Sequence, residues 1–185
     1  TGGWLGITDK YWAATLVPPG DFKARYSFFD DGRTRFQADY LGTELAIRPG
    51  ELNLMTSSRG NTHSELTAPE VRARGSRLFG IQAWAALPRT HEEQPPAFVH
   101  HGVEDLPVIR DNGLRTRLIM GSAYGETSPV SFPWAAFYAE AVLAPGAILP
   151  LDADYEERAI YVVSGEIDIA GDSFGAGRLL IFRPG

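Results

Sequence analysis

The stretch RAIYVVSGEIDIAGDSFGAGRLLIFRPG, residues 158–185, decides the fold class. Its apolar runs are short and rich in Val, Ile, Leu, Phe and Tyr, and glycine-containing turns separate them. Such runs between turn signals are typical of β-strands. The same pattern occurs upstream in LFGIQAWAAL (78–87) and AAFYAEAVLAPG (135–146). Strands of this length at this spacing predict an all-β sandwich or barrel.

The N-terminal part of the chain is less uniform. KARYSFFDDGRTRFQADYL (23–41) predicts a hairpin, because Asp31-Gly32 is a favoured tight-turn pair between two strand-like runs. GWLGITDKYWAATLV (3–17) fits neither the helical nor the strand period cleanly, so helix and strand both stay open there. In the apolar run IQAWAAL, we expect Trp84 to be buried.

The length, composition and net charge of the chain exclude several classes of function. The 185 residues fit one domain or two small ones, and 44% hydrophobic with 22% charged residues is ordinary for a soluble globular protein. A net charge of -6 argues against a nucleic-acid-binding surface, which normally carries a basic patch. The absence of cysteine excludes disulfides and thiolate metal sites. No apolar run reaches the length of a membrane span, and the missing initiator methionine suggests an excised or processed piece.

A pair of metal-ligand residue types stands in ELNLMTSSRGNTHSELTAPE (51–70). His63 and Glu65 are two positions apart, and residues i and i+2 of a strand point to the same face. Imidazole nitrogen and carboxylate oxygen suit Fe(II) or another divalent ion. The alternative is a surface or half-buried histidine paired with Glu65 alone.

From about residue 41 onward the chain resembles the pirins, two-barrel members of the cupin superfamily. The stretches that carry the resemblance are LGTELAIRPGELNLMTSSRGNTHSE (41–65), RLFGIQAWAALPRTHEEQPPAFVHHGVEDLPV (77–108) and APGAILPLDADYEERAIYVVSGEIDIAGDSFGAGRLLIFRPG (144–185). The resemblance implies a cupin-like double-stranded β-helix. We expect the remainder of a first barrel and a crossover over residues 41–100, and most of a second barrel, truncated at its C-terminus, over 101–185.

Residues 1–40 resemble a different family. GGWLGITDKYWAATLVP (2–18) is similar to the end of the periplasmic domain of the bacterial membrane-protein insertase YidC. That domain is a β-sandwich ahead of the membrane-spanning part, so the resemblance implies a β-hairpin graft and no insertion activity. The chain thus looks like a chimera that joins two families near residues 38–42.

The pirin resemblance implies an iron site of three histidines and one glutamate, from an early HxH pair and a later HSE. His63 and Glu65 match the HSE, but the earliest of the 4 histidines is His63 itself. The family spacing places the missing pair near residues 19–22, where Asp21 is the only ligand type. Asp30, Asp31 and Asp39 are nearby in sequence, and the first two are typical turn residues. We therefore expect iron (Fe2+) at low occupancy, on His63 and Glu65 alone.

The other ligand-type residues give weaker signals. His100 and His101 are adjacent, so on a strand they face opposite ways and do not readily reach one ion. His91, in PRTHEEQPP, is expected in a solvated turn. In the second barrel, where a metal-binding cupin has its histidines, this chain has Asp152 and Asp154. No residue is assigned a catalytic or organic-cofactor role.

Three function hypotheses remain open. The first is a pirin-like, iron-dependent dioxygenase that acts on a small aromatic substrate such as quercetin. The second is a metal-free interaction module that binds a protein partner, as expected for a redox-linked transcriptional co-regulator. The third is a non-functional hybrid or a fragment related to the insertase. The pirin resemblance implies a cytoplasmic location, and the YidC-like segment implies the periplasm. The oligomeric state is left open.

Overall fold

The computed structural model describes residues 11–16, 35–39, 44–61, 63–67, 72–73, 81–151, 155 and 157–183. These residues form strands and loops, besides a 3-10 turn at Arg89–His91 and a two-residue helical stretch at 72–73. In chain order the strands are β1 (Tyr11–Leu16), β2 (Arg35–Asp39), β3 (Glu44–Ile47), β4 (Leu52–Thr56), β5 (His63–Thr67), β6 (Ile81–Ala86), β7 (Ala97–His101), β8 (Val108–Asp111), β9 (Leu114–Met120), β10 (Ser122–Ala123), β11 (Glu126–Thr127), β12 (Tyr138–Leu143), β13 (Ala159–Tyr161), β14 (Glu166–Ile169), β15 (Asp172–Gly175) and β16 (Leu179–Ile181). The all-β prediction is confirmed.

The chain divides into two compact units. Unit 1 comprises Thr1–Ile109 and Thr116–Glu140, and unit 2 comprises Arg110–Arg115 and Ala141–Gly185. The sheets are antiparallel where their register is defined, with strand orders β6-β1-β4-β7, β3-β2-β5 and β12-β9-β8, together with the pairs β10-β11, β13-β16 and β14-β15.

In unit 1, β1 resolves the ambiguous N-terminal pattern as a strand. It lies between β4 and β6, with Ala13 opposite both Met55 and Trp84. Because β1 has a partner on each side, its backbone groups are used in both ladders. β2 falls on the second run of the predicted hairpin, but its partners are β3 on one side and β5 on the other. The first run of that predicted hairpin lies outside the described residues, so the pairing of the two runs stays a prediction.

The core of unit 1 is centred on β4. Its residues 52–55 are buried on both faces of the strand, as is typical when layers cover both sides of a sheet. The buried apolar cluster consists of Leu52, Leu54, Leu87, Leu106, Ile119, Met120 and Val130. Ala85, Phe132, Ala136 and Tyr138 pack around it.

The predicted burial of Trp84 is wrong, because its side chain is 53% exposed. β6 alternates between half-buried and exposed positions, and Trp84 shares the exposed parity with Gln82 and Ala86. The sequence pattern identified the strand correctly but assigned the tryptophan to the wrong face.

Unit 2 contains two antiparallel strand pairs. In β14-β15, the turn residues Ala170 and Gly171 have φ values of 53° and 93°. Two left-handed residues in a two-residue loop are the hallmark of a tight hairpin turn with the twist of the flanking strands. In β13-β16, Tyr161 is opposite Leu179 and Ala159 is opposite Ile181.

Candidate metal centre

The structure places both predicted metal ligands, His63 and Glu65, on β5. They are two residues apart on one strand, so the backbone puts them on the same face of the three-stranded sheet. The side chain of His63 is exposed. The first condition for a shared cation site, a strand at residues 63–65, is therefore present.

The neighbouring strand β2 brings further polar residues into register with this pair. Asp39 is the Cα partner of His63, and Gln37 is the Cα partner of Glu65. Residues directly opposite each other in an antiparallel pair lie on one face. The face that carries His63 and Glu65 therefore also carries a carboxylate-bearing and an amide-bearing residue, a juxtaposition that the sequence did not predict.

Several other predicted positions fall outside the described residues, namely residues 19–22 with Asp21, and both Asp152 and Asp154. Among the side chains that the structure does describe, no group of three or more His, Asp or Glu is arranged to hold a metal ion. Histidine, glutamate and aspartate are residue types that bind divalent cations.

His100 belongs to a polar network that sequence reasoning missed. It is opposite Asn53 across β4 and β7, and its Nδ1–H donates a 2.7 Å hydrogen bond to Asn53 Oδ1. Its Nε2 lies 3.9 Å from Glu51 Oε2, and that same oxygen accepts a 2.6 Å bond from the backbone N–H of Arg48. Asn53 is only 1% exposed, so this network satisfies a buried amide.

His101, on the other face of β7, lies in a different environment. Burial lowers the pKa of His101 below 6.5, Asp105 opposes the effect and His100 reinforces it. Asp105 Oδ2 also accepts a 2.7 Å hydrogen bond from the backbone N–H of Gly102. The two adjacent histidines therefore lie on opposite faces of β7 and have different hydrogen-bonding and charged partners.

A buried arginine supports the turn that precedes β4. Arg117 is 1% exposed, and its Nη1 donates a 2.9 Å hydrogen bond to the carbonyl oxygen of Gly50. The same Nη1 lies 3.8 Å from Glu140 Oε2. Burial raises the pKa of Tyr138 to about 12, and Glu140 adds to the effect. The hydrogen bond of Arg117 to Gly50 and its ion pair with Glu140 together connect three segments of unit 1, so the role of Arg117 is structural.

His91 lies in the 3-10 turn Arg89–His91 after β6, so the turn prediction is confirmed, and the residue is half-buried rather than fully solvated. Its Nδ1 lies 2.9 Å from the hydroxyl oxygen of its neighbour Thr90. None of the described residues belongs to a helix that is long and apolar enough to cross a membrane.

The sequence comparisons confirm both resemblances. Residues 1–58 match the family model of the YidC periplasmic domain. A pirin-like protein of Caulobacter vibrioides is 40% identical over 148 residues, which cover 80% of this chain and 51% of that protein. The insertase YidC of Sinorhizobium medicae is 60% identical over 53 residues, which cover 28% of this chain and 9% of the insertase. The chain thus spans about half the length of its pirin-like relative.

Solved structures confirm the cupin-like fold. A quercetin 2,3-dioxygenase from Acinetobacter baumannii superposes with a TM-score of 0.76 at 22% identity, covering 96% of this chain and 53% of that one. A protein from Geobacillus kaustophilus superposes with a TM-score of 0.73 at 20% identity, covering 96% and 66%. At identities this low, the superpositions show a shared arrangement of strands and give no information about activity.

Proposed function

We propose that this chain is a pirin-type cupin that holds a divalent cation, iron in the first instance, on His63 and Glu65 and acts as a quercetin-type dioxygenase. The observation that carries the proposal is the placement of both residues on β5 at positions that share one sheet face. The similarity to a pirin-like protein and the cupin-like fold support it.

The donor set suits this chemistry. A neutral imidazole nitrogen and a carboxylate oxygen bind Fe(II) and leave coordination positions open. A bound iron would supply the activation of oxygen and of an aromatic hydroxyl group. The role of this chain's residues is to hold the ion: His63 would offer a ring nitrogen, and Glu65 would provide a carboxylate with the compensating negative charge.

The test is quercetin consumption by the full chain, reconstituted anaerobically with Fe(II) and then exposed to oxygen. We expect turnover in the wild type and its loss in His63→Ala. His91→Ala is the matched control, since it removes a histidine from the 3-10 turn Arg89–His91 rather than from β5 and should keep wild-type turnover. Equal turnover in wild type and His63→Ala would refute the assignment of the site.

A second candidate function, a metal-free interaction module, is favoured by a separate observation. On one face of β13-β16, Tyr161, Leu179 and Ile181 are 53%, 62% and 78% exposed. Exposed apolar side chains that cluster on one sheet face are typical of protein-binding surfaces. This surface needs no metal, so it would remain functional in a chain without bound iron.

A photo-cross-linking residue at position 181 tests this second candidate in cells. We expect a discrete adduct that Leu179→Ser weakens, and no adduct from the same residue at position 172, the exposed first residue of β15. Identical adducts from both positions would indicate non-specific contact and would remove the support for this function.

A further inference from the structure

We propose that the tip of the β8-β9 hairpin, residues Arg110–Arg115, binds the phosphate group of a small molecule between the guanidinium groups of Arg110 and Arg115. All the residues of this tip belong to unit 2. They line an open concavity of about 400 Å³, which is within the range of small-molecule sites. The proposed phosphate site shares no residue with the proposed cation site on β5.

The turn of the hairpin determines that the two arginines are opposite each other. β8 and β9 are joined by the two-residue loop Asn112-Gly113, whose residues have φ values of 39° and 83°. Two positive φ values are typical of a tight type I′ turn. This loop length fixes the register, so Arg110, the second residue before the loop, is opposite Arg115, the second residue after it. Such partners share one face and have Cβ atoms about 4.5–5.5 Å apart.

The strand on the other side of β9 brings no compensating charge to Arg115. The backbone N–H of Ala144, just after β12, donates a 2.8 Å hydrogen bond to the carbonyl oxygen of Gly113. In an antiparallel pair, residues joined in this way are directly opposite, so Val142 is opposite Arg115. The two cross-strand neighbours of Arg115 are therefore an arginine and a valine.

The acidic residue of the tip also leaves the two guanidinium groups uncompensated. Asp111 follows Arg110 directly on β8, so its side chain belongs to the opposite face of the hairpin. Within the described part of the chain, neither Arg110 nor Arg115 forms an ion pair. Arg110 is exposed and Arg115 is half-buried, so both can be reached from solvent.

An anion at this position would remove an unfavourable interaction. Like charges directly opposite each other destabilise a pair of strands. A guanidinium group donates two parallel hydrogen bonds to phosphate or carboxylate oxygens. A phosphorylated hydroxyl carries a charge of about −1.5 to −2 at neutral pH, which matches two guanidinium groups, whereas a carboxylate carries only one negative charge. The net charge of the chain is -6, so attraction of phosphate is a local property of this tip.

The test is calorimetric titration of the full chain with phenyl phosphate and with inorganic phosphate, at low and constant ionic strength. Arg110→Gln and Arg115→Gln each remove one of the two guanidinium groups. Arg178→Gln removes an exposed arginine elsewhere in unit 2 and is the matched control. Loss of charge-assisted hydrogen bonds should weaken phosphate binding at least about tenfold in the first two variants. The control should keep the wild-type affinity.

Thermal unfolding provides a second measurement on the same variants. In chloride at matched ionic strength, Arg110→Gln should melt at a higher temperature than the wild type, because the repulsion between the two arginines is removed. Phosphate should raise the melting temperature of the wild type through binding to the folded state. It should leave the melting temperature of Arg110→Gln nearly unchanged.

Several outcomes would overturn the proposal. They are absence of phosphate binding to the wild type, unchanged binding in Arg115→Gln, and equal weakening by Arg115→Gln and Arg178→Gln, which would indicate a general charge effect. Tighter binding of acetate than of phosphate would overturn the assignment of phosphate. Phenyl phosphate binding more tightly than inorganic phosphate would support an organic phosphate as the ligand, and equal affinities would support inorganic phosphate.

Discussion

Arg117 Nη1 donates a 2.9 Å hydrogen bond to the carbonyl oxygen of Gly50, from a side chain that is only 1% exposed. A buried cation is stable only where hydrogen bonds and an opposite charge compensate for its lost hydration. Glu140, 3.8 Å away and 15% exposed, provides that charge. The turn at Arg48-Pro49-Gly50 is thus held in place by a residue far away in sequence.

Arg117→Met should be strongly destabilising, because it leaves Glu140 partly buried without its cation. Breaking a buried ion pair typically costs about 3–5 kcal/mol. Urea unfolding measures the change, with the exposed Arg110→Met as control. The double variant Arg117→Met/Glu140→Leu should recover part of the loss, and a double variant less stable than Arg117→Met would contradict the pairing.

Gly50→Ala should cost more than an equivalent change at another left-handed glycine. Gly50 has φ of 88°, and a Cβ there would lie 2.9 Å from Val103 Cγ2 and 3.2 Å from Arg117 Nη1. Gly146 has a similar φ of 79° with no atom within 4 Å of its added Cβ. The left-handed conformation alone costs an alanine about 1–2 kcal/mol.

The comparison of the two glycine variants separates strain from crowding. We expect Gly146→Ala to lower the free energy of unfolding only by the cost of placing alanine at a positive φ. Gly50→Ala should lower it by at least about 1 kcal/mol more, which is the scale of a forced core rearrangement. Equal losses in thermal unfolding would show that the contacts of Gly50 with Val103 and Arg117 do not constrain the turn.

Stability should fall at high pH because of Tyr138. Its pKa is raised from 10.0 to about 12 in the folded protein, so the folded state retains the phenolic proton that the unfolded chain releases. The associated stability is complete below pH 10 and is lost as the pH rises to about 12. The loss should be on the order of 2 kcal/mol.

Denaturant unfolding at pH 9 and pH 11.5 measures this dependence. Tyr138→Phe lacks the titrating hydroxyl, so we expect the variant to show a flatter pH profile over this range. A wild-type profile that is no steeper than that of the variant would mean that Tyr138 ionises equally easily in the folded and unfolded chains.

His100→Ala should destabilise unit 1 although His100 is partly exposed. The substitution removes the ring N–H that donates to Asn53 Oδ1, and Asn53 is 1% exposed. Loss of a hydrogen-bond partner to a buried polar group costs about 1–3 kcal/mol. Val99→Ala, at a neighbouring 43% exposed position of β7, serves as control and should cost less. A larger loss for Val99→Ala in thermal unfolding would contradict the importance of the network.

The strands could be predicted from the sequence, but their faces and partners could not. The run 158–185 alternates short apolar segments with glycine turns, and β13 to β16 form there. The apolar run around Trp84 predicts burial, whereas its 53% exposure depends on which face of β6 the rest of the fold covers. Such coverage is a tertiary property that no local pattern contains.

The sequence predicts which residues of β5 share a face, but it does not predict which residues of the neighbouring strand lie opposite them. His63 and Glu65 are two residues apart, so the strand period alone relates them. The pairing of Asp39 with His63 depends on the β2-β5 register, which is specified by packing over both strands. Arg117 was not recognised as buried, because the pattern LRTRLIM of β9 suggests alternate polar positions at the surface.

The most direct test of the account is the metal content of the chain, purified without a polyhistidine tag and measured by elemental analysis beside His63→Ala. We expect a divalent metal in the wild type, at a level that falls sharply in the variant. Metal at the same level in both proteins, or in neither, would contradict the central claim that the face of β5 is a cation site.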